Sequence, residues 1–103
     1  MAEKVFVVVW EFDIRAGAEE EFLRAYGQDG DWAQLFRRGN GFLRVELARS
    51  VESSSRFFTF DYWVSRAAFE AFGVAHAVEY RALDKKLAGL TERERRIGAF
   101  LSE

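Results

Sequence analysis

The chain has 103 residues, half of them hydrophobic and 17% aromatic, and a net charge of −2. That length fits one domain, residues 1–103, and that hydrophobicity excludes a disordered chain. With no cysteine and a single histidine, His76, it excludes disulfides, thiolate metal sites and a multi-histidine metal site within one chain, and its interspersed charges give no nucleic-acid surface.

The opening run MAEKVFVVVW is too short for a signal peptide or a membrane helix, so a cytoplasmic protein without membrane contact is expected. Lys4–Ile14 is rich in Val and aromatics and reads as a strand that is apolar on both faces. Ala18–Tyr26 reads as a helix with acidic residues in its first turn, and Phe22, Ala25 and Tyr26 share its buried face. GQDGD interrupts the helical pattern. Its two carboxylates lack the ligand spacing of a calcium loop. Asp31 is the expected N-cap of a second helical stretch, with Trp32, Leu35 and Phe36 as its apolar stripe.

The GNG of Gly39–Gly41 then turns the chain. Phe42–Ser50 alternates as a strand, with Leu43, Val45 and Leu47 on one face and Arg44 and Glu46 on the other. VESSS is the expected hairpin loop. Arg56–Val64 is the third strand, again apolar on both faces: Phe58, Phe60 and Tyr62 alternate with Phe57, Thr59, Asp61 and Trp63. Ser65 caps a helix with core residues Phe69 and Phe72 and a bend at Gly73. Helix continues over Ala75–Leu87, with Val78, Ala82 and Leu83 near one face. The capping-box spacing of Thr91–Glu94 allows a short helical turn, and RIGAFLSE reads as the last strand.

The order β-α-β-β-α-β is the ferredoxin-like arrangement, an α+β fold whose antiparallel sheet carries its helices on one face. The two-faced apolar strands then need a second cover, and no further segment of the chain supplies one. A homodimer with its two sheets packed face to face, a dimeric α+β barrel, is the expected solution.

The Val-rich first strand, AEEEF opening the first helix, GFLRVEL, YWVSRAAFEAF and ALDKKLAGL together resemble the antibiotic biosynthesis monooxygenase family from Val5 to about Leu101. The resemblance implies a dimeric α+β barrel with a pocket between sheet and helices in each subunit. Family members oxygenate polycyclic aromatic compounds without metal or flavin, and others degrade haem. Trp63 matches the family tryptophan. The strand-one asparagine of the haem degraders falls at Trp10, and their haem-ligating histidine falls near Asp84.

The resemblance therefore implies a cofactor-independent monooxygenase acting on a small aromatic or polyketide-like compound, with no cofactor and no metal. The alternative is a ligand-binding or structural dimer without catalysis. Trp63, His76 and Tyr80 are the candidate catalytic residues, His76 because its unperturbed pKa lies near neutrality. Trp10, Trp32, Phe36, Arg44, Tyr62 and Phe72 are the candidate substrate contacts, as apolar walls and polar tips. Each also has a plainer reading. Trp63 packs the core with its indole N–H bonded to backbone, and His76 sits on an exposed helix position. Trp32 packs a helix rather than a lid. Arg44 pairs with an acidic residue of the partner subunit, and Glu46 shares its face.

Overall fold

The computed structural model describes residues 4–103 as one antiparallel sheet with helices on one side. The elements in chain order are β1 (Phe6–Ile14), α1 (Glu19–Tyr26), α2 (Asp31–Phe36), β2 (Phe42–Arg49) and β3 (Arg56–Trp63). They continue with α3 (Arg66–Ala75), α4 (Ala77–Leu87), a 3-10 turn at Ala88–Leu90, and β4 (Thr91–Leu101). The strand order β2-β3-β1-β4 is that of the ferredoxin-like fold. Among the described residues, no helix is long and apolar enough to cross a membrane.

Alternation along β1 and β3 decides which side chains meet the helices. Phe6, Val8, Phe12 and Ile14 of β1 face the helical layer, as do Phe57, Thr59, Asp61 and Trp63 of β3, and all eight are buried. Phe22, Ala25 and Tyr26 of α1, Trp32, Leu35 and Phe36 of α2, Phe72 of α3 and Leu87 of α4 complete this core. Its centre is aromatic. Trp63, fully buried, packs against Phe36, Phe42, Phe69 and Phe72 at ring distances of 5.2–5.7 Å. Phe22 stacks on Tyr26 at 4.3 Å. Such offset and edge-on pairs add about 0.5–1.5 kcal/mol each to the burial itself.

Among the described residues, no helix packs on the opposite face. Val7, Val9, Phe58, Phe60, Tyr62 and Phe100 share it, aligned by the pairs Val7 with Tyr62, Val9 with Phe60 and Val7 with Phe100. Charged residues border this apolar strip. Arg95 pairs with Glu11 at 2.9 Å, Arg56 with Asp13 at 3.1 Å, and Arg44 with Glu46 at 3.6 Å. The Arg44 guanidinium also lies 4.0 Å above the Tyr62 ring.

Several local expectations are met. The Ser65 hydroxyl accepts from the Ala68 N–H at 3.0 Å and caps α3. The GNG turn is needed because Gly41 sits at φ +94, where a Cβ would meet Val64 and Ala68 at 2.6 and 2.8 Å.

Others are corrected. The N-cap of α2 is Gly30, and Asp31 is its first helical residue, ion-paired with Lys86 at 3.8 Å. Leu43 does not join Val45 and Leu47 on the core face. A bulge between Phe42 and Arg44 turns it outward, 43% exposed, and Phe42 packs on the core in its place. Gly73 does not bend α3, which ends instead at His76 (φ −120, ψ 29). Val78 and Ala82 point to solvent, and Tyr80, Leu83 and Leu87 carry the buried face of α4. The predicted helical turn at Thr91–Glu94 is the start of β4, because the Thr91 hydroxyl bonds the Glu94 carboxylate at 3.0 Å rather than a backbone amide.

Candidate functional site

The sheet twists away from α1, α2 and α4 and leaves a cavity of about 340 Å³ between them. Trp10 and Phe12 of β1, Val45 of β2, and Thr59 and Asp61 of β3 form its floor. Tyr26, Trp32, Phe36 and Tyr80 form its roof, with Asp84 and Glu94 completing the lining. The walls pack on one another. Trp32 contacts Phe36 and Tyr80 at ring distances of 5.8 and 4.9 Å, and Tyr26 contacts Phe12 at 4.9 Å.

Polar chemistry in this space is sparse and unusually placed. Asp61 is only 8% exposed. Among the described residues it has no ion-pair or hydrogen-bond partner, and burial alone pushes its carboxyl from the ordinary 3.8 up to about 7. Burial likewise raises the Tyr80 hydroxyl to about 12 and drives Tyr26 higher still. Glu94 is raised by burial too, against the opposing bond from Thr91. The Tyr26 hydroxyl lies near enough to the Trp32 indole to feel it, yet no acceptor among the described residues meets hydrogen-bond geometry at Trp32 Nε1. Among the described residues, no Lys or Arg lines the cavity.

Of the nine side chains singled out from sequence, Trp10, Trp32, Phe36 and Tyr80 meet in this cavity. The other five lie elsewhere. Trp63 and Phe72 are in the core just beyond Phe36. The Trp63 indole N–H has no partner among the described residues, so the expected bond to backbone does not form. His76 joins α3 to α4, stacked on Phe72 at 5.1 Å with Nδ1 3.2 Å from the Glu79 carboxylate, and it borders an outer groove rather than the cavity. Arg44 and Tyr62 are on the uncovered face of the sheet. Trp32 is buried, with no lid-like exposure. Trp10 and Asp84, which the family resemblance placed at haem-site positions, do line the cavity, but neither supplies an imidazole.

Sequence reading missed Asp61, Thr59, Tyr26 and Glu94 as cavity residues. A signal for Asp61 was present. It is the one ionisable residue on the β3 face that also carries Phe57 and Trp63.

Comparison with known proteins places this architecture. The antibiotic biosynthesis monooxygenase profile matches residues 5–79, and the chain belongs to that family. Among solved structures it is similar to protein SO0527 from Shewanella oneidensis, at 22% identity over 98% of this chain and 93% of that one, with a TM-score of 0.68. It is similar to SnoaB, a cofactor-independent oxygenase from Streptomyces nogalater, at 23% identity over 99% and 95% of the two chains, TM-score 0.63. Rv0793 from Mycobacterium tuberculosis is similar at 19% identity over 96% and 93%, TM-score 0.62. No curated protein matches the chain significantly. At these identities the structural likenesses establish the fold.

Proposed function

We propose that this chain is a cofactor-independent monooxygenase that acts, as a homodimer, on a small electron-rich aromatic compound. The observation that carries this reading is the half-open cavity, whose walls include the rings of Trp10, Phe12, Trp32, Phe36 and Tyr80. Flat apolar walls with few polar groups suit a planar ring and exclude water around it. Its volume of about 340 Å³ suits a compound of two or three fused rings.

The reaction class needs little from the protein beyond this. A substrate that loses a proton becomes electron-rich enough to reduce O2. A ring methylene then becomes a carbonyl, with one oxygen atom retained and the other leaving as water. The carbon loses the four electrons that O2 gains. Membership of the family and the likeness to SnoaB support the assignment. The homodimer is supported by the strip of Val7, Phe58, Phe60, Tyr62 and Phe100, which keeps exposure that a second sheet would bury.

Oxygen-electrode assays with anthrone- and hydroquinone-type compounds test the reading. Uptake well above the spontaneous rate, with a product heavier by one oxygen and lighter by two hydrogens, is the expected result. Uptake at the spontaneous rate across the panel contradicts it. Native mass spectrometry is expected to give twice the chain mass, and a monomer at micromolar concentration contradicts the dimer.

A further inference from the structure

The most unusual group in the cavity is Asp61. It lies in mid-strand between Val8 of β1 and Val45 of β2, its paired neighbours, which are 2% and 4% exposed. What remains of its own exposure opens on the cavity. Buried carboxyls are ordinarily hydrogen-bonded or ion-paired, because desolvation without a partner costs several kcal/mol. Nothing among the described residues fills that role here. A carboxyl held this way against an aromatic-walled cavity lacks a donor that a ligand can bring.

The surroundings restrict what that ligand can be. Besides Asp61, the titratable groups that line the cavity among the described residues are Tyr26 from α1, Tyr80 and Asp84 from α4, and Glu94 from β4. The facing parts of β1, β2 and α2 contribute Val8, Trp10, Phe12, Val45, Trp32 and Phe36, none of them titratable. Three carboxylates thus line the space. Arg96 of β4 stands opposite Trp10 and acts on Tyr80 without lining the cavity. A further negative charge brought among these carboxylates would be poorly screened.

We propose that Asp61 is the base that takes the substrate's hydroxyl proton, and that its cavity selects aromatic hydroxy compounds in their neutral form over anionic analogues. The inference deepens the oxygenase reading and rests on it for the reaction. In the step itself the substrate O–H bond breaks, its electron pair stays on the substrate oxygen, and the proton bonds to an Asp61 oxygen. The resulting oxyanion is the species that reduces O2. The near-neutral titration of Asp61 suits it to take this proton and return it to the reduced oxygen.

Two readouts on the full chain test this. The first is binding, followed by quenching of tryptophan fluorescence, of 2-naphthol and of 2-naphthoate, which carry the same ring with and without an anionic group. At about pH 8 the wild type is expected to bind naphthol at least about tenfold more tightly, and Asp61→Asn to narrow that gap several-fold. Equal affinity for both compounds, or no naphthol binding, overturns the proposal. The second is oxygen uptake with an anthrone, whose enol tautomer carries the aromatic hydroxyl that Asp61 deprotonates. The wild-type kcat/KM is expected to rise through a limb centred near pH 7, and Asp61→Asn to lose the limb and about 10²–10⁴ of the rate. Asp61→Glu is expected to restore part of the rate with the limb displaced.

The two claims fail separately. If the wild type turns anthrone over and Asp61→Asn matches it in rate and pH limb, the base is wrong and the oxygenase reading stands. If no substrate is oxygenated but naphthol selection persists and depends on Asp61, the oxygenase reading is wrong and the selective site stands. Circular dichroism confirms folding of both variants.

Discussion

Strand β3 supplies both faces of the sheet with aromatics, and the two faces treat polarity in opposite ways. On the uncovered face every nearby charge has a partner: Arg44 with Glu46 and the Tyr62 ring, Arg95 with Glu11, Arg56 with Asp13. On the helix-covered face Asp61 and the indole N–H groups of Trp32 and Trp63 are buried with no partner among the described residues. A face built only for packing would satisfy or omit such groups, since each costs about 1–3 kcal/mol when buried alone. The proposed dimer would cover the first face, and the proposed ligand would sit against the second.

Substitutions on the two faces should differ accordingly. The largest effect is expected from Trp63→Ala. Trp63 is wholly buried among four phenylalanine rings, and the cavity left behind should cost about 3–5 kcal/mol in denaturant unfolding. A loss below about 1 kcal/mol would mean the covered core is looser than its packing indicates.

An intermediate effect, opposite in sign, is expected from Asp61→Asn. The folded carboxyl titrates near 7 and the unfolded one near 3.8, so between these values the folded state holds more protons. Wild-type stability therefore falls as pH rises from about 4 to about 7 and is level above that. Removing the charge should leave stability unchanged near pH 4 and raise it by about 2–4 kcal/mol at pH 8, read as melting temperature against pH. A destabilised variant at pH 8 would show that the carboxylate is partnered after all.

The smallest effect is expected from Arg44→Ala on the uncovered face, about 0.5 kcal/mol at low salt and less in high salt, because its ion pair and ring contact are half-exposed. A loss above about 2 kcal/mol would move Arg44 from the rim of this face to its centre.

Period-two alternation made both faces of β1 and β3 legible in the sequence, and helical spacing marked Phe22, Tyr26, Trp32 and Phe36 as core. Parity alone could not say which side of β3 the helices cover. Trp63 and Tyr62, adjacent in sequence, were both candidates, yet they lie on opposite faces and neither lines the cavity. Leu43 fits the alternation, but a bulge is a backbone event with no fixed residue signature, and it turned that side chain outward. His76 drew notice for its intrinsic pKa, but the break between α3 and α4 places it on Phe72 and Glu79, outside the cavity. Asp61 drew none, because a carboxylate in an alternating strand looks like a solvent-facing residue until its face is known.

The central claim is that the covered face keeps a carboxyl unpaired and ready for a ligand. The most direct measurement is a carbon-13 NMR titration of the Asp61 carboxyl, assigned by its absence from Asp61→Asn. A midpoint near 7 is expected. A midpoint near 4, the ordinary value for an aspartate, would contradict the account.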